Sequence, residues 1–124
     1  MTVAQKPDAK EIAAKARARG AFTYVLDGTA LTDKTATLDA IAELLRFPAY
    51  FGRNLDALYD CLTDLSWLPV GEHVLIWIGS DVLKQADPRS YLAVHSVLSD
   101  AQRALAPGGD RADSRRLTVL LADS

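Results

Sequence analysis

The chain has 124 residues, of which 49% are hydrophobic and 24% are charged, the balance expected of one globular domain with a core. Because 16 acidic side chains slightly outnumber 14 basic ones, the formal net charge is −2 and no general affinity for nucleic acid is expected. A single cysteine excludes an intrachain disulfide, so the fold does not depend on an oxidising compartment.

The N-terminal segment 1–20 lacks the apolar core of a secretion signal, and its alanine, lysine and arginine content predicts a flexible or weakly helical arm. The most apolar run, VLIWIG at 74–79, is far too short to span a bilayer. We therefore expect a cytoplasmic protein with no membrane contact, in which this arm precedes one domain at 21–124.

Strand and helix signals alternate after the arm. The segment 21–26 (AFTYVL) is rich in β-branched and aromatic residues and ends at an Asp-Gly turn signal, so the first strand is expected there. Thr32 or Asp33 can cap the helix that follows. That helix must end before Pro48, because a proline disfavours the helical conformation in the residue that precedes it.

The second half of the chain predicts two more helices and two more strands. A short helix is expected at about 54–65, and 73–78 is typical of a strand buried on both faces. Asp87 can begin a long helix, 110–116 is expected to be a charged loop, and 117–121 completes the strands. The order β-α-α-β-α-β predicts a small α/β fold, with helices packed against a three-stranded parallel sheet.

The segment 47–65 (FPAYFGRNLDALYDCLTDL) is the most informative part of the chain. Asn54 is suited to cap a helix on which Asp56, Asp60 and Asp64 share one face, while leucines occupy the opposite side. No basic residue lies within this helix, and like charges four positions apart destabilise a helix by about 0.2–0.5 kcal/mol per pair. A protein that retains such a face is expected to use it against something positive.

Aromatic residues and a glycine flank this acidic helix. Tyr50, Phe51 and Tyr59 are either core or lid residues or, since tyrosine is enriched at interfaces, part of a binding surface. Gly52 is expected to supply a backbone geometry that other residues resist, and its missing side chain would let a partner approach closely.

Helix physics alone leaves three interpretations of the carboxylates open: a solvated face, an anionic docking surface, or a divalent-metal site that would serve a small metal-dependent enzyme. The metal site is disfavoured because no histidine accompanies the carboxylates. Cys61 is predicted on the buried side of the helix, His73 and His95 lie among apolar neighbours, and no catalytic or phosphate-binding motif is present. We expect no enzyme activity, no metal and no cofactor.

The sequence FPAYFGRNLDALYDCLT at 47–63 strongly resembles the signature of the barstar family of ribonuclease inhibitors. The predicted order of elements is similar to that family as well, and the resemblance covers about 21–123. It implies an intracellular inhibitor, an immunity protein of a bacterial cell, that binds a small guanyl-preferring ribonuclease and occludes its active site. It also implies a protein that is monomeric when free and makes no direct contact with nucleic acid.

The resemblance also implies roles for individual residues. Asp60 is the central anion, in the place of an RNA phosphate among the enzyme's basic side chains, and Asp56 pairs with a basic group on the rim of that site. Tyr50 packs against the enzyme's catalytic histidine, while Gly52 and Asn54 belong to the loop that approaches the enzyme's backbone. The complete set of expected partner-binding residues is Tyr50, Gly52, Asn54, Asp56, Tyr59, Asp60 and Asp100.

Several positions depart from the family's pattern. Arg53 stands where an acidic residue is expected, which reduces the local negative field and bears on the choice of partner. Phe51 and Tyr59 replace a tyrosine and a tryptophan that the motif often shows, and Asp100, the late acidic contact, is one methylene shorter than a glutamate. The alternative function is therefore an acidic interaction module for a basic protein that is not a nuclease.

Overall fold

The computed structural model describes residues 8–105 and 115–122, which fold around one three-stranded sheet. Both strand pairs are parallel and the strand order is β1-β2-β3, which confirms the predicted α/β class and the predicted parallel sheet. In chain order the elements are α1 (Ala9–Ala18), β1 (Phe22–Asp27), α2 (Lys34–Leu44), α3 (Leu55–Asp64), β2 (Gly71–Ile78), α4 (Ser80–Ala86), α5 (Pro88–Leu105) and β3 (Arg115–Ala122).

The predicted helix starts are confirmed by their capping bonds. The Asp33 carboxylate accepts a hydrogen bond from the backbone N–H of Ala36 at 2.7 Å, so α2 begins where one of the two predicted caps stands. The Asp87 carboxylate accepts from the backbone N–H of Ser90 at 3.2 Å at the beginning of α5. Each bond satisfies a backbone N–H group in the first turn of a helix, which has no hydrogen-bond partner within the helix.

The central strand β2 is covered on both faces, because the four consecutive residues from 74 to 77 have no exposed surface. Leu75 and Trp77 belong to the main core, which α2, α3, α4 and α5 build on one face of the sheet. Val74 and Ile76 belong to a second, smaller core on the opposite face. This double burial confirms the prediction of a strand that is apolar on both sides.

The helix α1 closes the second face of the sheet. Its buried residues Ala9, Ala13 and Ala16 pack in the same cluster as Val74 and Ile76, and the short alanine side chains let the helix approach the strands closely. The sequence predicts only a flexible or weakly helical arm here and gives no indication of this packing. Alanines spaced four and three residues apart form an apolar stripe that is too weakly hydrophobic to be recognised in the sequence as a packing face.

A carboxylate clamp joins the end of α1 to two strands. The Arg19 guanidinium donates two hydrogen bonds to the Glu72 carboxylate of β2, at 3.0 and 3.1 Å. The same carboxylate accepts from the Thr118 hydroxyl of β3 at 2.7 Å. The hydrogen bond from Arg19 is the main cause that lowers the pKa of Glu72 from its usual value, so the clamp is ionic at neutral pH.

Two further features were not predicted from the sequence. The short helix α4 follows β2 directly, where Gly79 adopts the left-handed conformation with φ of 65°. Residues 110–114 of the expected charged loop lie outside the described residues, and its last two residues, Arg115 and Arg116, belong to β3. None of the described helices is both long and apolar enough to cross a membrane.

His73 is a buried imidazole whose two ring nitrogens are both engaged. Its Nε2 lies 2.8 Å from the carbonyl oxygen of Pro69, which can only accept, so Nε2 carries the proton. Its Nδ1 therefore accepts from the Tyr24 hydroxyl, also at 2.8 Å. Burial is the main cause that lowers the pKa of His73 from its usual value, and the nearby Arg115 charge lowers it further.

We predict that α1 contributes to global stability through Ala13. Ala13→Asp buries a carboxylate against the sheet and should lower the free energy of unfolding by at least about 2 kcal/mol. Ala14→Asp, one residue later on the exposed side of the same helix, should cost no more than about 0.7 kcal/mol through helix propensity. Urea denaturation followed by circular dichroism measures both, and equal losses would show that α1 does not pack as described.

We also predict that acidification destabilises the protein through His73. The folded state holds this imidazole neutral, while the unfolded chain binds a proton below its ordinary pKa of 6.5. The free energy of unfolding should therefore be highest above pH 6.5 and fall as the pH decreases toward 5. His73→Gln should flatten this dependence, and parallel curves for both proteins in chemical denaturation would contradict the assignment.

Candidate functional site

Three aromatic rings hold the loop between α2 and α3 on the core. The Phe47 ring packs edge-on against Phe51 at 5.0 Å and against Trp67 at 5.9 Å between ring centroids. The Trp67 indole N–H donates to the carbonyl of Leu45 at 2.8 Å, and the Phe51 N–H donates to Pro48 at 3.0 Å. Phe51 is thus an anchor of the loop, and Trp67 is a structural residue whose role here was not predicted.

Tyr50 projects outward from this anchored loop. Its side chain is 73% exposed, the largest value among the exposed large hydrophobic residues of the described chain. Its neighbours Phe47 and Phe51 are turned toward each other and toward the core. An aromatic side chain held out on a fixed loop can contact a partner with little loss of conformational freedom.

The backbone strain of the loop lies at Arg53 and not at Gly52, so the expected backbone geometry of Gly52 is wrong, while the close approach of a partner at Gly52 stays a prediction. Arg53 has a φ of 54°, in the left-handed region, whereas Gly52 is not among the residues with positive φ. A Cβ atom on Gly52 would lie 3.1 Å from the side-chain nitrogen of Asn54, which is a tight contact. The missing side chain therefore leaves room for the cap of α3.

The guanidinium of Arg53 forms a fork with the Asp39 carboxylate of α2. Its Nε and Nη2 atoms each donate to one carboxylate oxygen at 2.8 Å. From the sequence, Arg53 is expected to weaken the negative field beside the acidic helix. In the structure Asp39 offsets that charge locally, and the fork ties the loop to α2.

Asn54 caps α3 as predicted. Its side-chain oxygen accepts from the backbone N–H of Ala57 at 2.8 Å, and its side-chain nitrogen donates to the carbonyl of Gly52 at 3.3 Å. Its own backbone is extended, with φ of −138° and ψ of 172°. The cap therefore fixes both the first turn of the acidic helix and the end of the loop.

The acidic face of α3 meets α5 across a groove of about 450 Å³. Four of the seven expected partner-binding residues lie together in it, three from α3 and one from α5. The other three, Tyr50, Gly52 and Asn54, lie on the preceding loop. The lining residues are Leu55, Asp56, Tyr59, Asp60, Val97 and Asp100.

The carboxylates of this groove differ in their partners. Asp100 forms an ion pair with Arg103, one turn further along α5. Asp56 and Asp60 have no ion-pair partner among residues 8–105 and 115–122. Asp64, outside the groove, accepts a hydrogen bond from the Ser66 hydroxyl at 3.2 Å. The groove therefore carries two exposed carboxylates whose charge no described side chain offsets.

Several features lower the local stability of α3. Asp60 and Asp64 lie toward its C-terminal end, where the helix dipole disfavours negative charge, and no basic residue occupies the last turn. The helix ends at Leu65, which has a left-handed φ of 52°. The buried side chains of Leu58 and Leu62 hold the helix on the core despite these costs.

The thiol of Cys61 is not available as a nucleophile at this site, and the described residues form no cluster of metal ligands. Cys61 is only 3% exposed, and burial, followed by the charges of Asp60 and Asp64, raises the pKa of its thiol. Its sulfur is therefore protonated and enclosed. Within the described part of the chain, no group of three or more ligating side chains is placed to hold a metal ion.

We predict that Asn54→Ala lowers the free energy of unfolding by about 1 kcal/mol, because the first turn of α3 loses its cap. Asn54→Asp retains an acceptor at the same position and should cost less than the alanine variant. Thermal or urea denaturation compares the two variants. An alanine variant as stable as the parent protein would show that the cap does not hold this helix.

The fold and the groove together define a class of protein, an α/β domain that presents a rigid acidic surface of two helices and a loop. The sequence profile of the family described as Barstar (barnase inhibitor) matches residues 21–122, and the chain belongs to that family. The helix α1 precedes the matched residues.

One curated relative is the Bacillus subtilis (strain 168) protein YrdF, whose name proposes a ribonuclease inhibitor. It is 44% identical to the chain over 46 residues, which are 37% of this chain and 50% of that protein. The chain therefore matches about half the length of this relative.

Proposed function

We propose that this protein inhibits a ribonuclease by placing the acidic groove over the enzyme's active site. The observation that carries the proposal is the pair Asp56 and Asp60, two exposed carboxylates without a described ion-pair partner, in a member of the barstar family. A ribonuclease concentrates positive charge to bind phosphates, so carboxylates on a rigid helix compete for the same site.

We infer that the enzyme is a small guanyl-preferring bacterial ribonuclease and that the inhibitor acts in the cytoplasm as an immunity protein. The support is the resemblance at 47–63 to the family signature and the family match over 21–122. The single cysteine is a buried thiol, so the fold needs no oxidising compartment.

The groove residues are proposed to contribute unequally. Asp60 is the central anion and Asp56 its neighbour, since neither gives up an existing ion pair when a cationic partner binds. Asp100 must break its ion pair with Arg103 before it can pair with a cation of the enzyme, so its net contribution to the binding free energy is smaller. Tyr59, which lines the groove at 37% exposure, supplies aromatic contact area beside the carboxylates.

The loop before α3 is proposed to bind as a preorganised element. Tyr50 is its exposed contact, and the Arg53–Asp39 fork together with the Asn54 cap fixes the backbone on either side of Gly52. A loop that is ordered before association loses less entropy on binding. Gly52 then lets the enzyme's backbone approach closely.

We predict that Asp60→Ala weakens binding to the inhibited ribonuclease by at least about thirtyfold, or about 2 kcal/mol, because an enzyme cation loses its buried partner. Asp64→Ala is the matched control and should change the affinity by no more than about twofold, since its carboxylate lies outside the groove. Isothermal titration calorimetry measures both.

Both substitutions remove a like-charge repulsion along α3, so neither should unfold the helix, and a urea denaturation curve checks this. Small and equal losses from the two variants would contradict the assignment of Asp60. If no ribonuclease in a panel of small guanyl-preferring enzymes is inhibited, and a basic protein without nuclease activity binds the groove, the alternative interaction module is correct.

A further inference from the structure

The two edges of the sheet differ in how their backbone is protected. On β3, the backbone N–H of Val119 donates to the side-chain oxygen of Gln102 on α5 at 2.7 Å. That strand also begins with two arginines, and charged residues on an edge discourage pairing with another chain. Among the described residues, no side-chain or backbone group outside the sheet forms a hydrogen bond with the backbone of the outer edge of β1.

The free edge of β1 is regular and apolar. Its six residues pair without interruption with β2, so no bulge twists the edge away, and its sequence FTYVLD contains no proline and no lysine. Phe22 and Val25 are 39% and 41% exposed, among the few large apolar side chains at the surface. These are the features of an edge that pairs with another strand.

Two grooves run along this edge, one on each face of the sheet. The groove beside α1 has a volume of about 310 Å³ and includes Ala13, Arg17 and Ile78. The groove beside α2 has a volume of about 430 Å³ and includes Leu44. Val25 lines both grooves, so the edge of β1 lies in a trough between two helices.

We propose that the edge of β1 binds β1 of a second copy of this chain in the antiparallel direction, so that the sheet continues across a two-fold axis as six strands. A closed pair related by a two-fold axis is the commonest arrangement of identical subunits. This association departs from the free monomer that the family resemblance implies. It is independent of the proposed inhibitor function, because none of the β1 edge residues lines the acidic groove.

The charges along β1 select one register of this pairing. Residues opposite each other in antiparallel strands face the same side, so an axis through Val25 places Thr23 of one copy opposite Asp27 of the other. The Thr23 hydroxyl accepts a hydrogen bond from the Arg17 guanidinium at 3.1 Å. The incoming Asp27 carboxylate, one oxygen of which accepts from the Thr29 N–H and hydroxyl, therefore meets this cation, and the symmetry makes the contact twice.

The same register brings the two exposed Val25 side chains together at the axis. Shifting the axis to Tyr24 would move Asp27 past Thr23 to a position opposite Ala21, away from the Arg17 cation. The apolar contact and the ion pairs thus favour the same alignment. A second copy of β1 therefore complements this edge in charge and places its exposed valine against an apolar side chain.

Sedimentation velocity of the full chain over a range of concentrations tests the proposal. A reversible species of twice the monomer mass is expected, and Val25→Lys should weaken its formation at least about tenfold, because it places like charges opposite each other. Leu92→Lys is the control, since Leu92 is 62% exposed on α5, and it should leave the association unchanged. A chain that stays monomeric up to about 1 mM overturns the proposal, as does equal association of the Val25→Lys variant.

A cross-linking measurement tests the register without relying on the fold of the lysine variant. Two opposed residues in antiparallel strands have Cα atoms about 4.5–5.5 Å apart, within the range of about 4.4–6.8 Å that a disulfide spans. Val25→Cys should therefore form a covalent dimer on mild oxidation much faster than Leu92→Cys, while the native Cys61 is buried. Equal cross-linking rates would overturn the proposed register and interface.

Ribonuclease inhibition distinguishes this proposal from the proposed function. Val25→Lys should inhibit the enzyme as the parent protein does, because the acidic groove is unchanged. Loss of self-association with retained inhibition supports the edge pairing alone. Loss of inhibition in Val25→Lys, with the fold intact, would show that the two surfaces are not independent and would overturn the proposal as stated.

Discussion

The burial of the middle of β2 on both faces is the constraint on which the rest of the structure depends. A strand whose residues from 74 to 77 have no exposed surface needs a layer of side chains on each face. The helices α2 to α5 supply one layer, and α1 supplies the other with alanines. Because β2 is the central strand of three, β1 and β3 are the two edges of the sheet.

The same core allows α3 to carry an unfavourable charge pattern. Its two like-charge pairs cost about 0.2–0.5 kcal/mol each, and a left-handed leucine at its end costs on the order of 1 kcal/mol. Burial of Leu58 and Leu62 contributes about 1.5–3 kcal/mol for each side chain, which exceeds these costs. The packing face therefore secures the helix, and its outer face can be specialised for recognition.

Much of the fold was predictable because its signals are local. Helix caps and the double burial of β2 follow from residue type and spacing, and helical periodicity alone puts Asp56 and Asp60 on one face. The position of Asp100 beside them depends on how α5 packs against α3, which no local pattern encodes; only the family resemblance indicated it.

The remaining differences arise where distant parts of the chain meet. Alanine is too weakly hydrophobic for α1 to be predicted as a packed helix, although it covers a whole face of the sheet. A backbone geometry that other residues resist was expected at Gly52, but the structure has it at Arg53, whose side chain is held by the fork with Asp39. Tertiary contacts decided both outcomes, and they have the same consequence, a rigid domain with the acidic groove on one side.

The measurement that tests the central claim most directly is the dependence of ribonuclease inhibition on RNA concentration. If the groove occupies the phosphate-binding site, RNA and the inhibitor exclude each other, so the apparent inhibition constant at equilibrium should rise in proportion to the RNA concentration above the KM. Added salt should weaken the inhibition, because the attraction between carboxylates and the basic site is screened. An inhibition constant that does not change with RNA concentration would place the contact away from the active site and contradict the account.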